Sequence, residues 1–165
     1  MTKLPKTPSF RLDGKKAFVT GGSRGIGLGC SVALAEAGAH VIVAARSETQ
    51  VEDAAKAICD AGCKAEGVVL DVTQLDGVKA LFAEHGPYNV VVNSAGIARH
   101  GSPYETTVED YDAVTSVNMR SAYFLAQEAA LGMKAIGGGS IVQISSQMGH
   151  VGGQDRAVYL SLIHI

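Results

Sequence analysis

The chain has 165 residues, 47% hydrophobic and 18% charged, with a formal net charge of −2. That length suits one domain, and the composition excludes a disordered chain. Scattered lysines and arginines exclude the basic track that a nucleic-acid partner needs, and no apolar stretch approaches the roughly 20 residues of a membrane span.

The opening residues, MTKLPKTPSFRLDGKK, include Pro5 and Pro8. They lack the apolar core of a secretory signal and read as a flexible arm over residues 1–11. KAFVT (16–20) is the first of five short runs rich in valine and isoleucine. Helical spacing follows over 25–37, with Ile26, Cys30, Ala33, Leu34 and Ala37 on one side and Gly38 as the stop. HVIVAA (40–45) is the second run, a helical pattern over 48–61 follows, and AEGVVL (65–70) is the third. A helix over 73–85 leads to NVVVN (89–93); helices over 107–117 and about 119–135 lead, through Gly137 to Gly139, to SIVQIS (140–145). Runs that are apolar nearly throughout fit strands buried on both faces of a parallel sheet. Strand and helix in alternation predict βαβ units and a doubly wound α/β fold spanning residues 12–159.

Cys30, Cys59 and Cys63 form an odd set without CxxC spacing, so the simplest setting is a reducing cytoplasm. Cys59 and Cys63 read as small helix-face residues, and no His, Cys or carboxylate cluster has metal spacing, so no metal is expected.

Open α/β sheets bind ligands beyond the carboxyl ends of their strands. Every strand here delivers small or polar residues to that edge: TGGSRGIG (20–27), Arg46, Asp71, Asn93 to Gly96, and Ser145 with Ser146. Gly21, Gly25 and Gly27 stand between a strand and a helix, where glycine lets the backbone turn tightly and approach a pyrophosphate. The helix start would offer free amides and a positive dipole end to the phosphates. The second strand ends in Ala44, Ala45 and Arg46, without the carboxylate that usually bonds an NAD ribose, and Arg24 lies inside the glycine turn. Two guanidiniums favour a 2′-phosphate, hence NADP(H) rather than NAD(H). His100 and His150 fall in loops on the same edge, where a histidine either touches substrate or, more commonly, is simply solvated. Neither Ser145 nor Ser146 sits in a GxSxG elbow, which leaves serine hydrolysis without support.

Five motifs in order, TGxxxGxG at 20–27, Asp71 with Val72, Asn93-Ser94-Ala95-Gly96, Asn118 in SVNMRS, and Ser146 thirteen residues before Tyr159, resemble the short-chain dehydrogenase/reductase family. The likeness runs from about Leu12 to Tyr159, with Ser94 where the family most often has asparagine. It implies a Rossmann-type fold and a small carbonyl or alcohol substrate. It also implies a homodimer or homotetramer pairing the helix near 119–135. Tyr159 would be the general acid or base at the substrate oxygen, Ser146 would bond that oxygen, and Asn118 would anchor a relay water. Gly21, Ser23, Arg24, Gly25, Ile26, Gly27 and Arg46 would hold the diphosphate and adenosine ribose. Asp71 and Val72 would meet the adenine, and Asn93, Ala95, Gly96 and Tyr159 the nicotinamide ribose.

A free phenol titrates near roughly 10, so a tyrosine is a poor base at neutral pH. The family pairs its tyrosine with a lysine four residues later, whose charge lowers that value. Ile163 stands there instead. Residues 160–165, LSLIHI, also translate CTG TCT CTT ATA CAC ATC, the end of a transposase-based sequencing adapter. They are expected to be a non-native tail, on a sheet incomplete at its C-terminal side. Such a chain would be poorly soluble and without turnover. The rival readings are a nucleotide-binding protein without catalysis and, less in keeping with TGxxxGxG, an isomerase or dehydratase.

Overall fold

The structure is a computed structural model that describes residues 7–164. Residues 1–6 of the expected arm lie outside the described residues. Pro8, Ser9 and Phe10 have no regular structure, but Arg11 is tied down: its guanidinium bonds the Glu36 carbonyl at 2.9 Å and pairs with Asp13 at 2.7 Å.

Five parallel strands, β1 (Lys16–Thr20), β2 (His40–Ala45), β3 (Lys64–Val69), β4 (Val90–Asn93) and β5 (Ser140–Gln143), lie in the order β3-β2-β1-β4-β5. The helices between them are α1 (Gly25–Glu36), α2 (Glu48–Asp60), α3 (Leu75–His85), α4 (Val108–Thr115) and α5 (Ala122–Ala135). The chain runs outward from β1 to β3, returns to β4 beside β1, and winds the other way, which is the doubly wound topology.

Alternation along the central strands sorts their side chains between two cores. Phe18, Ile42, Ala44 and Val91 pack against Leu81, Leu125 and Met133 of α3 and α5. Ala17, Val19, Val41, Val43 and Val92 pack against Ala35, Val51 and Ile58 of α1 and α2. Each fully buried valine, isoleucine or phenylalanine contributes about 1.5–3 kcal/mol, so this three-layer packing fixes the strand register.

The outer strands depart from the expected two-sided burial. β3 alternates between exposed and partly buried residues, and β5 has Val142 43% exposed. Both are sheet edges, so only β1, β2 and β4 are covered on both faces.

The two helices expected over 107–117 and 119–135 form one continuous run. A π-helical turn, Ser116–Ser121, joins α4 to α5, and the Ser121 hydroxyl bonds the Ser116 carbonyl at 2.6 Å. A last helix, α6 (Ala157–His164), carries Tyr159 and runs without a break past residue 160, the expected start of the tail.

Candidate active site

The site lies beyond the carboxyl ends of the strands, where the two halves of the sheet diverge between β1 and β4. A cleft of about 1140 Å³ opens there, and all fifteen residues singled out in the sequence line it. His100 lines it too; His150 is absent from its walls.

The glycine turn forms one end. Gly21 has φ +63, and a Cβ on it would stand 3.0 Å from the Ser94 carbonyl oxygen. Any Cβ on Gly27 would collide with the Gly21 carbonyl, so helix and turn can close only on glycine. Leu28 makes the first helical bond, to Arg24, and no side chain caps α1, so the amides of Gly25, Ile26 and Gly27 face the cleft uncapped. Ser31, fully buried, donates to the carbonyl oxygens of Gly27 at 3.0 Å and Gly22 at 3.3 Å, which fixes the turn from beneath.

Arg24 and Arg46 line this end with Ser23, Ser47 and Gln50. No acid pairs with either arginine among the described residues, and Asp71 is the only carboxylate in the lining. Burial opposes ionisation of Asp71. Bonds from the Thr73 amide at 2.9 Å and hydroxyl at 2.7 Å, with the Arg46 charge, outweigh it and hold the carboxyl below its ordinary range. Val72 is buried beside it.

The middle of the cleft rests on a polar ladder across three strands. Thr20, Asn93 and Gln143 occupy one level of the register of β1, β4 and β5. The Thr20 hydroxyl donates to Asn93 Oδ1 at 2.7 Å and accepts from the amides of Ser94 and Ala95, both at 3.2 Å. Asn93 Nδ2 donates to Gln143 Oε1 at 2.9 Å, and Gln143 Nε2 reaches the Ala122 carbonyl at 3.5 Å. The Asn93 amide thus faces the sheet, where it holds the Ser94–Ala95–Gly96 loop in place. The sequence motif marked Asn93 but not Thr20 or Gln143, because only the register of strands distant in sequence brings them together.

Asn118 sits in the π-helical turn. Its Oδ1 accepts from the Ile97 amide at 2.9 Å and its Nδ2 donates to the Ile97 carbonyl at 2.7 Å. This pair of hydrogen bonds latches the loop after β4 to the helical run, and π turns recur where such a side chain must be aimed.

Ser146 and Tyr159 form the far end of the cleft. The Ser146 hydroxyl oxygen accepts the Met148 amide at 3.1 Å, which leaves its hydrogen to donate. Tyr159 is partly buried, and its hydroxyl has no hydrogen-bond partner among the described residues. Leu162 and Ile163 add an apolar wall one turn further along α6.

Among the described residues, no group of three His, Cys, Asp or Glu could hold a metal ion, and no helix is long and apolar enough to cross a membrane. The three cysteines are unpaired.

A doubly wound parallel sheet, a glycine-bound helix start and a cleft across the switch point define a dinucleotide-binding α/β protein. The chain matches the model of the short chain dehydrogenase family over residues 15–161, and it belongs to that family. It is 38% identical over 141 residues to gluconate 5-dehydrogenase of Gluconobacter oxydans, covering 83% of this chain and 55% of that protein. With galactitol 2-dehydrogenase of Rhizobium johnstonii it shares 38% identity over 147 residues, covering 86% of this chain and 57% of that one. The crystal structure of a gluconate 5-dehydrogenase from Burkholderia cenocepacia in complex with NADP and tartrate superposes with a TM-score of 0.85 at 34% identity. That match covers 93% of this chain and 62% of the other. The chain therefore spans little more than half the length of these curated relatives.

Proposed function

We propose that this chain carries the cofactor-binding and proton-transfer part of an NADP(H)-dependent oxidoreductase. The reaction interconverts a secondary alcohol and a ketone on a sugar-acid, polyol or 3-oxoacyl substrate. The observation that carries this reading is the convergence of a glycine turn, two unpaired arginines, and the Ser146–Tyr159 pair on one cleft.

The chain's residues fit the cofactor. Gly21 and Gly27 leave the room a diphosphate needs, the open amides of α1 suit its charge, and Arg24 with Arg46 suits a 2′-phosphate. NADP(H), when bound, supplies or accepts the hydride. Ser146 donates its free hydrogen to the substrate oxygen and orients it. Tyr159 gives its phenolic proton to that oxygen in reduction and takes it back in oxidation. Asn118 keeps one N–H and one lone pair beyond its bonds to Ile97, enough to hold a water behind the tyrosine.

Fluorescence titration tests the cofactor reading. NADPH is expected to bind about tenfold or more tightly than NADH, and the double change Arg24→Ala with Arg46→Ala should erase that preference. Equal affinity for the two reduced cofactors in the unaltered chain would refute it.

Ile163 favours a second reading for the chain as it stands: nucleotide binding without turnover, since no lysine charge stands one turn beyond Tyr159. The catalytic reading takes residues 160–165 as adapter sequence, and the source gene read across codon 159 decides between the two. A lysine codon at 163 supports the catalytic reading; LSLIHI encoded there overturns it. Exposed Met119, Tyr123, Phe124 and Leu131 along the π turn and α5 support a homodimer or homotetramer through this face. Three unpaired thiols support a reducing cytoplasm.

A further inference from the structure

We infer that Arg156 is a specificity-determining residue that holds a carboxylate of the substrate, so that the substrate is an anionic hydroxy- or oxo-acid. This rests on the oxidoreductase reading above and narrows it.

Arg156 lines the cleft at its Ser146–Tyr159 end and is partly buried. It immediately precedes α6 and accepts the Leu160 amide through its carbonyl at 2.8 Å. It stands three positions before Tyr159, and both residues line the same cleft. A group held by Arg156 therefore shares the cleft with the Tyr159 hydroxyl.

The local backbone is built around this side chain. Asp155 is the one non-glycine residue with positive φ among the described residues, at 55°. Its carbonyl accepts the Gly101 amide at 2.8 Å, and Gly101 and Arg156 form an isolated parallel bridge. That bridge pins the loop before α6 to the loop after β4, which brings His100 into the same cleft. A Cβ on Gly153 would lie 2.9 Å from Arg156 Cδ and 3.3 Å from Nε, so glycine makes room for the arginine stem. Strain and close approach of this kind gather where a side chain must be aimed.

The guanidinium is also uncommitted. Arg11 and Arg99 each hold an aspartate at 2.7 Å, whereas no acid pairs with Arg156 among the described residues. The one carboxylate in the cleft, Asp71, belongs to the opposite end, after β3. A partly buried arginine beside a proton donor, with no acid of its own, is a fork for a carboxylate.

The test uses the full chain fused to a soluble carrier and calorimetric titration. NADP⁺ is titrated first, then D-gluconate and galactitol separately into the NADP⁺-saturated protein, for the parent and for Arg156→Gln and Arg156→Lys. Gluconate is expected to bind about tenfold or more tightly than galactitol. Arg156→Gln should abolish that preference and Arg156→Lys keep part of it, with NADP⁺ affinity changed less than about twofold because Arg156 lies at the other end of the cleft. Equal binding of the two probes by the parent, or a preference that survives in Arg156→Gln, overturns the inference while leaving the cofactor reading intact. Failure of NADP⁺ to bind the parent overturns that reading and the inference together.

Discussion

Tyr88 buries a polar group inside an aromatic cluster. Its ring packs between Phe18 and Phe82, at centroid distances of 5.0 and 5.1 Å, with Lys16 Nζ 5.6 Å above it. Its hydroxyl is the one buried side-chain polar atom without a partner among the described residues. Burial pushes that hydroxyl well above the ordinary phenol range, and the Glu66 charge adds to the effect. Tyr88→Phe keeps the ring and removes the unpaired group, so it should be neutral or stabilising by up to about 1 kcal/mol. A urea midpoint that rises or holds at unchanged m-value supports this; a marked fall would reveal a hidden partner. Asp71 works through charge instead. Its carboxyl is depressed by the Thr73 bonds and Arg46 against the pull of burial, so its ionised form favours the fold. That contribution is complete above the unfolded carboxylate value of about 4 and is lost as pH falls through the lower folded value. The acid limb of stability measured between pH 5 and 2 should therefore flatten in Asp71→Asn, and an unchanged limb would place the effect elsewhere. The motif residues were legible singly because their chemistry is local to a turn or strand end. Gln143 was not: its meaning depends on lying level with Asn93 across a sheet.

Among the elements, periodicity identified the central strands and the first three helices to within two residues, because each has a buried face that repeats along its own sequence. It split the run from α4 to α5, since a π turn shifts the helical phase without any glycine or proline to mark it. It also read β3 and β5 as doubly buried, because hydrophobicity alone does not tell which strand ends a sheet. β5 is the consequential case. It pairs only with β4 among the described residues, and Val142 and Ile144 are exposed on and just beyond it. An apolar edge of this kind templates pairing with another chain. Val142→Lys places a charge on that edge without touching either buried core, so it should raise the soluble fraction after expression at least about twofold by discouraging strand addition. Light scattering at matched concentration measures this directly. Unchanged aggregation would shift the blame to the exposed side chains of α5.

At the scale of the molecule, the cleft draws on every layer: the turn before α1, the ends of β2, β3 and β4, the π turn, and the loop before α6. The ladder from Thr20 to Gln143 joins the ends of β1, β4 and β5, and the Asn118 latch ties the loop after β4 to the π turn. A ligand filling the cleft therefore binds only when both halves of the sheet are folded, and it must stabilise the whole domain by mass action rather than one segment. At NADP⁺ near 100 times its dissociation constant, the gain is about 2.7 kcal/mol. For a domain of this size that raises the midpoint of thermal unfolding by roughly 5–10 °C. NAD⁺ at equal concentration should give a smaller shift, because Arg24 and Arg46 then face a hydroxyl where a phosphate would bring charge. Hydrogen exchange should slow across β1, β4 and the α4–α5 run together. A thermal shift without that joint protection would mean that the nucleotide touches only the glycine turn, and that the two halves of the site fold independently.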